Sequence, residues 1–303
     1  MTVQKICIIG NGLAGLSTAV ILSQENIKID LYAGNKLNKF KDDDRTTAIS
    51  ESSYQFFKKK LNIKNENIFC ACKEINLFYE DGKVINNFLS FKEKNKNLMY
   101  IFKNKEIRKK LKNIIQKKKN IKLIKKNVSN IDHLDGSIVL KKNKFFYDLI
   151  ILSTGNQSKL YNYISKGRSI EKNYKETALT TTVKHSSRIG SASQFFLKEG
   201  PLAILPFSKN SFSVVWSVNN IFFQKNNKFL KKILKEKVIT LLSNLKIKNI
   251  NNIEFFPIHL NLQTKYFKKN VLILGDGLHS VHPMAGQGFN LFIRDIKKLS
   301  DLM

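Results

Sequence analysis

The chain has 303 residues, 42% of them apolar, and a formal net charge of +30. Its length and composition fit one large or two modest soluble globular domains, and no run of about 18 uncharged apolar residues is present to form a transmembrane helix. Lysines cluster at 58–60, 92–96, 117–119, 141–144 and 225–237, mixed throughout with Asn and Ile, and no zinc-finger or aromatic RNA-binding signature accompanies them; no nucleic-acid partner is expected, while contact with an anionic membrane stays open beside plain compositional drift over solvated surfaces.

An apolar strand begins within five residues of Met1, so no signal peptide is expected. A cytoplasmic protein is expected, peripheral to the inner membrane if it touches one. Cys7 reads as core. Cys70 and Cys72 are separated by one residue and lack a second pair, so neither a disulfide framework nor a metal site is expected.

In chain order, Lys5–Ile9, Leu13–Ser23 and Ile27–Tyr32 read as strand, helix and strand. The helix carries small residues (Ala14, Ser17, Ala19) that let it lie close to a sheet. Helical spacing recurs at 53–61 (Phe56, Phe57, Leu61) and 104–118 (Ile107, Leu111, Ile114, Ile115). Asn120–Val128 reads as a strand. Ser137–Leu140, Phe145–Tyr147 and Asp148–Leu152 suggest a hairpin feeding a buried strand. Short β-branched or aromatic strands follow at Thr177–Lys184, Ser193–Leu197, Ala203–Leu205 and Ser211–Val218. Residues 228–244 look helical, Val271–Leu274 reads as a buried strand, and Phe289–Leu299 as the last helix. The architecture is therefore interleaved, with a β-rich domain inserted into a nucleotide-binding one. The expected division is 1–74, 99–164 and 256–303 for the nucleotide domain, and 75–98 and 165–255 for the β-rich domain.

Two motifs carry chemistry. Gly10-Asn11-Gly12-Leu13-Ala14-Gly15 follows a strand and opens a helix. The first glycine allows a tight turn, the second lets backbone approach a pyrophosphate, and the third lets helix and strand pack. The helix N-terminus then offers free N–H groups to the phosphates. At the other end, Asp276 follows an apolar strand, where a carboxylate can accept bonds from sugar or ribityl hydroxyls. Pro283 through Gly288 form a loop rich in glycine, and a helix starting at about Gly288 aims its positive end at whatever binds above it, favouring an anionic ring. Asn290 falls in its first turn. His279 and His282 are three apart without a convincing third ligand, so a metal is not expected. Arg45, after three acids and before Thr46-Thr47, fits either a solvated turn or a phosphate-facing clamp. The position that usually binds the adenosine ribose holds Ala33, and neither Asp30 nor Tyr32 is well placed to replace the acid.

The sequence resembles the class A flavin-dependent aromatic hydroxylases, in particular their ubiquinone-biosynthesis branch. The likeness rests on Gly10–Gly15, on Asp44 through Ser50, on Tyr174–Val183, on Leu197–Pro206 with Val215-Trp216-Ser217, and on Gly275–Asn290. The resemblance implies an α/β fold like that of p-hydroxybenzoate hydroxylase, a Rossmann-like FAD/NAD(P)-binding domain with an interleaved β-rich substrate domain. It implies FAD as cofactor and NAD(P)H as reductant. By likeness, Gly10, Gly12, Leu13, Ala14 and Gly15 meet the pyrophosphate, Arg45 lies near the flavin, Asp276 holds the ribityl or pyrophosphate region, and Pro283, Gly286, Gln287, Gly288, Phe289 and Asn290 lie beside the isoalloxazine, with Pro283, Gly286 and Gln287 nearest the reacting ring. The implied reaction is hydroxylation of a polyprenylated phenol or quinol through a flavin hydroperoxide, with no protein nucleophile. The partners implied are a prenylated aromatic small molecule and a membrane-adjacent or multi-protein biosynthetic setting.

Three departures from the family pattern stand out. Ala33 replaces the ribose acid. The middle motif reads Leu152-Ser153-Thr154-Gly155-Asn156-Gln157-Ser158, with Thr154 where an Asp is expected. The chain stops at Met303, where relatives continue with further helices, a shortening that would expose an apolar face. The alternative reading is an accessory protein of the same pathway that keeps the flavin fold without full turnover.

Overall fold

Strand Gln4–Ile9 is apolar on both faces, with Ile6, Cys7 and Ile8 fully buried, because the sheet it centres is covered on both sides. In this computed structural model, which describes residues 3–34, 43–63, 66–132, 134–141, 143–155, 158–165, 169–186, 189–243, 245–282 and 286–303, Gln4–Ile9 pairs in parallel with Ile27–Tyr32 and with Leu149–Leu152. Ile121–Ile124 and Val271–Ile273 extend the sheet, also in parallel, and Phe267–Lys268 closes one edge antiparallel. One side is covered by helices Leu13–Leu22, Asn104–Lys117 and Gln287–Leu302, whose Leu16, Val20, Ile107, Leu111, Phe292 and Ile296 join Ile6 and Ile8 in one core. On the other side lies a three-stranded antiparallel sheet, Asn130–Asp132, Ser137–Leu140 and Asn143–Phe146, whose Ile131 and Ile138 meet Cys7 and Ile9.

A second, larger sheet is built around Ser169–His185, a strand of 17 residues. It pairs antiparallel with Ser211–Asn219 on one side and with Glu254–Gln263 and Ile247–Ile250 on the other. Gly200–Ser208, Ala192–Leu197 and the hairpin Glu74–Asp81/Val84–Lys92 continue it outward. Alternation separates its faces. Leu179, Val183, Phe195, Leu202, Val214 and Trp216 form a core beneath helix Leu230–Leu241, which contributes Leu230, Leu234 and Val238. Each fully buried side chain of this size contributes roughly 1.5–3 kcal/mol. The opposite face turns toward the nucleotide sheet. There a small sheet of Thr46–Ser50, Met99–Lys103 and Cys70–Cys72 joins Ala48, Cys72 and Ile101 to Ala192, with Ile75 and Leu205 against them.

The expected boundary between residues 255 and 256 falls inside Glu254–Gln263. That strand pairs with the spine from Gln263↔Ser169 to Glu254↔Thr180, so the β-rich sheet runs on to Gln263. Its sequence hides it. Pro257 and His259 interrupt the apolar pattern, and Pro257 is tolerated because the strand has a second neighbour, His279–Ser280, only at Asn261 and Leu262. The strand expected at Asn120–Val128 is confined to Ile121–Ile124, where it pairs with Ile29–Tyr32. Among the described residues, no helix is long and apolar enough to cross a membrane.

Candidate functional site

The carboxyl ends of the parallel strands and the inner face of the large sheet enclose a cleft of about 1100 Å³. Such crevices are where open α/β sheets hold ligands. The glycine turn forms its floor at one end. Gly10 has φ +127°, and a Cβ there would stand 2.1 Å from the Ser153 carbonyl oxygen, so only glycine serves. A Cβ on Gly15 would stand 2.1 Å from the Gly10 carbonyl oxygen, which seats the helix tightly on its strand. Gly12 is the opposite case: nothing lies within 4 Å of its absent Cβ. The space belongs to the cleft. Gly12 also caps helix Leu13–Leu22 without a side-chain hydrogen bond, which leaves the first-turn N–H groups available to an anion. Beside it the buried Asn11 Nδ2 has no hydrogen-bond partner, a donor waiting for an acceptor.

The second motif closes in from the other side. Asp276 follows strand Val271–Ile273 and is exposed to the cleft, crowded by its walls. Desolvation raises its pKa, and the charge of Arg45 opposes that rise. Gly286 adopts φ +65°, and a Cβ there would meet the Ala48 carbonyl oxygen at 2.5 Å. It caps helix Gln287–Leu302 with no side-chain bond and no acid in the first turn, so a second helix N-terminus opens on the cleft. Gly10, Gly12, Leu13, Ala14, Arg45, Asp276, Gly286, Gln287, Gly288 and Phe289 all line it. The two motifs, far apart in sequence, share one cavity.

Two expected residues lie behind the wall. Gly15 serves packing. Asn290 accepts from the Ser50 N–H at 3.0 Å and donates to the carbonyls of Ala48 (3.2 Å) and Gly286 (3.0 Å). Its carboxamide ties the last helix to strand Thr46–Ser50 and so holds the start of that helix at Gly286 beside the cleft. Pro283 lies outside the described residues.

Arg45 lines the cleft as a restrained cation. It donates to Asp43 through Nε (2.7 Å) and Nη2 (2.9 Å) and sits 5.0 Å from the centroid of the Phe256 ring. Burial works against its charge, but Asp43, Glu254 and Asp276 outweigh burial and raise its pKa. Between the solvated turn and the clamp, Arg45 stands at the cavity wall as one half of an ion pair with Asp43.

His282 Nε2 lies 2.9 Å from Glu176 Oε2, and His279 Nε2 lies 3.2 Å from Asp295 Oδ2. Among the described residues no group of three or more His, Cys, Asp or Glu is placed to hold a metal. Beyond strand Ile27–Tyr32, Ala33 and Gly34 line the cleft. Asp30 is turned away, accepting from the Tyr147 hydroxyl at 2.7 Å and paired with Lys5 at 3.3 Å, while the Tyr32 hydroxyl reaches Tyr147 at 2.9 Å. Thr154 donates to the Tyr161 hydroxyl at 2.9 Å, and that hydroxyl donates to the Gly155 carbonyl. Burial pushes the Tyr161 phenol up to about 12.

Sequence reasoning missed Arg108. It is 4% exposed, on helix Asn104–Lys117, and lines the cleft. Burial lowers its pKa, with Asp43 opposing and Arg45 reinforcing the shift. The signal was present: Arg108 falls on the apolar stripe with Leu111 and Ile115, an unusual place for a charge. The wall on the large-sheet side was anticipated only as segments, Tyr174–Val183, Leu197–Pro206 and Val215-Trp216-Ser217, and Phe256 and Ile258 lay outside them. Ala178, Thr180, Leu205, Val215, Phe256 and Ile258 face the cleft from four strands of the large sheet.

Residues 162–303 match the family model described as FAD binding domain. The ubiquinone biosynthesis monooxygenase COQ6 of Dictyostelium discoideum is 30% identical over 142 residues, 36% of this chain and 29% of that protein. Further ubiquinone-pathway hydroxylases match at 22 to 30% identity, and the matched stretches span about a third of the length of these curated relatives. Among solved structures, PqsL, a probable FAD-dependent monooxygenase of Pseudomonas aeruginosa, superposes with TM-score 0.78 at 15% identity, over 99% of this chain and 85% of that one. The flavin-dependent halogenase CmlS superposes with TM-score 0.77 at 14% identity, over 99% of this chain and 58% of that one. The fold is that of p-hydroxybenzoate-hydroxylase-like flavin monooxygenases, an FAD-binding Rossmann-like region with an interleaved β-rich domain.

Proposed function

We propose that the cleft binds FAD and that the chain is an FAD-dependent monooxygenase that hydroxylates a polyprenylated phenol or quinol of ubiquinone biosynthesis, with NAD(P)H as reductant. The observation that carries this reading is the continuity of the cleft, from the open turn at Gly12 to the weakly polar sheet face around Val215 and Phe256. The residues present fit the cofactor. Helix Leu13–Leu22 offers its N-terminus and Asn11 Nδ2 to the pyrophosphate, Asp276 accepts from the sugar-like chain, and the N-terminus of helix Gln287–Leu302 faces the ring end. When bound, FAD supplies the redox and oxygen-activating chemistry. The chain orients the two reactants, holds Arg45 as a fixed positive charge, and excludes water with the sheet face. The matches to ubiquinone-pathway hydroxylases support the substrate class.

The test is NADH or NADPH oxidation by the FAD-loaded protein with a prenylated phenol. Oxidation that depends on the phenol and a product heavier by one oxygen are expected. FAD binding without reduction would instead support an accessory protein that keeps the fold. Thr154, its hydroxyl committed to Tyr161 where the family pattern has an acid, favours that second reading.

A further inference from the structure

The sheet face that walls the cleft does not stop at the cleft. Thr180 and Val215, which line it, begin a cross-strand row: Thr180↔Val215↔Ala203↔Gln194↔Leu77↔Leu89. Residues opposite one another in register share a face, so this row leaves the cavity and ends on the outer hairpin Glu74–Asp81/Val84–Lys92. There the face becomes an exposed apolar apron. Tyr79 (42% exposed), Phe88 (49%), Leu89 (42%), Phe91 (47%) and Phe196 (39%) stand in solvent. Phe88 bridges the rings of Tyr79 and Phe196 at 5.9 and 6.0 Å between centroids. A cluster of large exposed aromatics of this kind marks a contact surface.

We propose that this apron docks the protein on an anionic lipid bilayer, with the row from Leu89 to Val215 as the track by which an apolar substrate passes between bilayer and cleft. The track rests on the proposed function, whereas the docking is independent of it. Charge selects lipid over a second copy of the chain. Lys83, Lys94, Lys96 and Lys198 are exposed around the apron, offset by Asp81 and Glu93, and Lys92 is engaged with Glu74 at 3.2 Å. Two copies that each carry +30 repel, while an anionic surface attracts both fringe and body. Aromatic rings with a lysine fringe suit the headgroup layer, where rings bury and ammonium groups stay wet.

The experiment is co-sedimentation with vesicles of phosphatidylcholine containing phosphatidylglycerol, against phosphatidylcholine alone, with flavin content and solution mass measured in parallel. The wild type should bind the anionic vesicles and lose binding as salt rises. Combined Phe88→Ser and Phe91→Ser substitutions should weaken binding at least tenfold with bound FAD unchanged. Should that variant fail to fold, combined Lys83→Glu, Lys94→Glu and Lys96→Glu, all on exposed positions, gives the same reading through charge. A separate groove lined by Lys228, Lys231, Lys232, Lys235 and Lys248 provides the rival. If reversing those lysines abolishes vesicle binding while both apron variants bind normally, the proposal is overturned. It is equally overturned if the wild type ignores anionic vesicles, or if it is a dimer that the Phe substitutions dissociate and that never binds lipid.

Discussion

The two ends of the cleft are built by different means. The end we propose for the cofactor's phosphates is made mostly of backbone, glycines and helix N-termini, with the one carboxylate of Asp276, within two short motifs. The end we propose for substrate is made of side chains from alternate positions on four strands, which lie between residues 178 and 258 and meet only when the sheet forms. The first depends on what is missing at a position, the second on what projects from it. The phosphate end should therefore fail when atoms are added, and the substrate end should respond in selectivity.

The sharpest break of this contrast is within the glycine turn. Gly15→Val should destabilise the chain by about 3 kcal/mol or more, since its Cβ has no room against the Gly10 carbonyl. Gly12→Val should leave the urea midpoint almost unchanged yet weaken FAD binding at least a hundredfold, because its side chain enters only the cleft. Equal unfolding by both would end the distinction between packing glycine and binding glycine.

At the substrate end, Val215→Phe should keep FAD content and stability and lower kcat/KM for a prenylated phenol about tenfold, read by steady-state kinetics. Loss of FAD instead would mean that the two ends are not separable. Asn290→Ala should cost about 1–2 kcal/mol in denaturant unfolding, since it takes their side-chain partner from the part-buried Ser50 N–H and the Ala48 carbonyl. It should also weaken FAD retention through the loosened helix start rather than by a lost contact.

The smallest effect concerns pH. The folded pKa of Asp276 is raised above its unfolded value, so the native state binds more protons between the two. The stability that Asp276 contributes without cofactor is then fully present below pH 3.8, the ordinary value, and is lost as pH rises through the folded pKa. Asp276→Asn should remove that decline and slightly stabilise the chain without cofactor at neutral pH, while weakening FAD binding. A variant less stable at neutral pH would contradict the desolvation argument.

The geometry of the glycine turn was legible in the sequence because its requirements are local. A strand, three glycines and a helix within a dozen residues specify one geometry, and Asp276 was placed by the apolar strand before it. The roles within that set were less legible. Asn290 sits beside cleft residues in sequence, but its amide points back into the wall, and only the partners Ser50 and Ala48 reveal this. Arg108 was readable as a charge on an apolar stripe, but its place in the cleft wall depends on strands far away in sequence. The strand Glu254–Gln263 was hidden because half-buried positions alternate with Pro257 and His259, and its long-range partner supplies the order that its own composition does not. The apron was unreadable for a related reason. Phe88 and Phe91 look like core residues in a sequence, and only the sheet order shows that no strand or helix among the described residues covers them.

The measurement closest to the central claim is FAD titration of the native protein, followed by flavin absorbance or fluorescence, beside its Gly12→Val variant. The account predicts one FAD per chain for the wild type and none retained by the variant at equal stability. Failure of a folded wild-type chain to take up FAD in excess cofactor, or unchanged uptake by the variant, would contradict it.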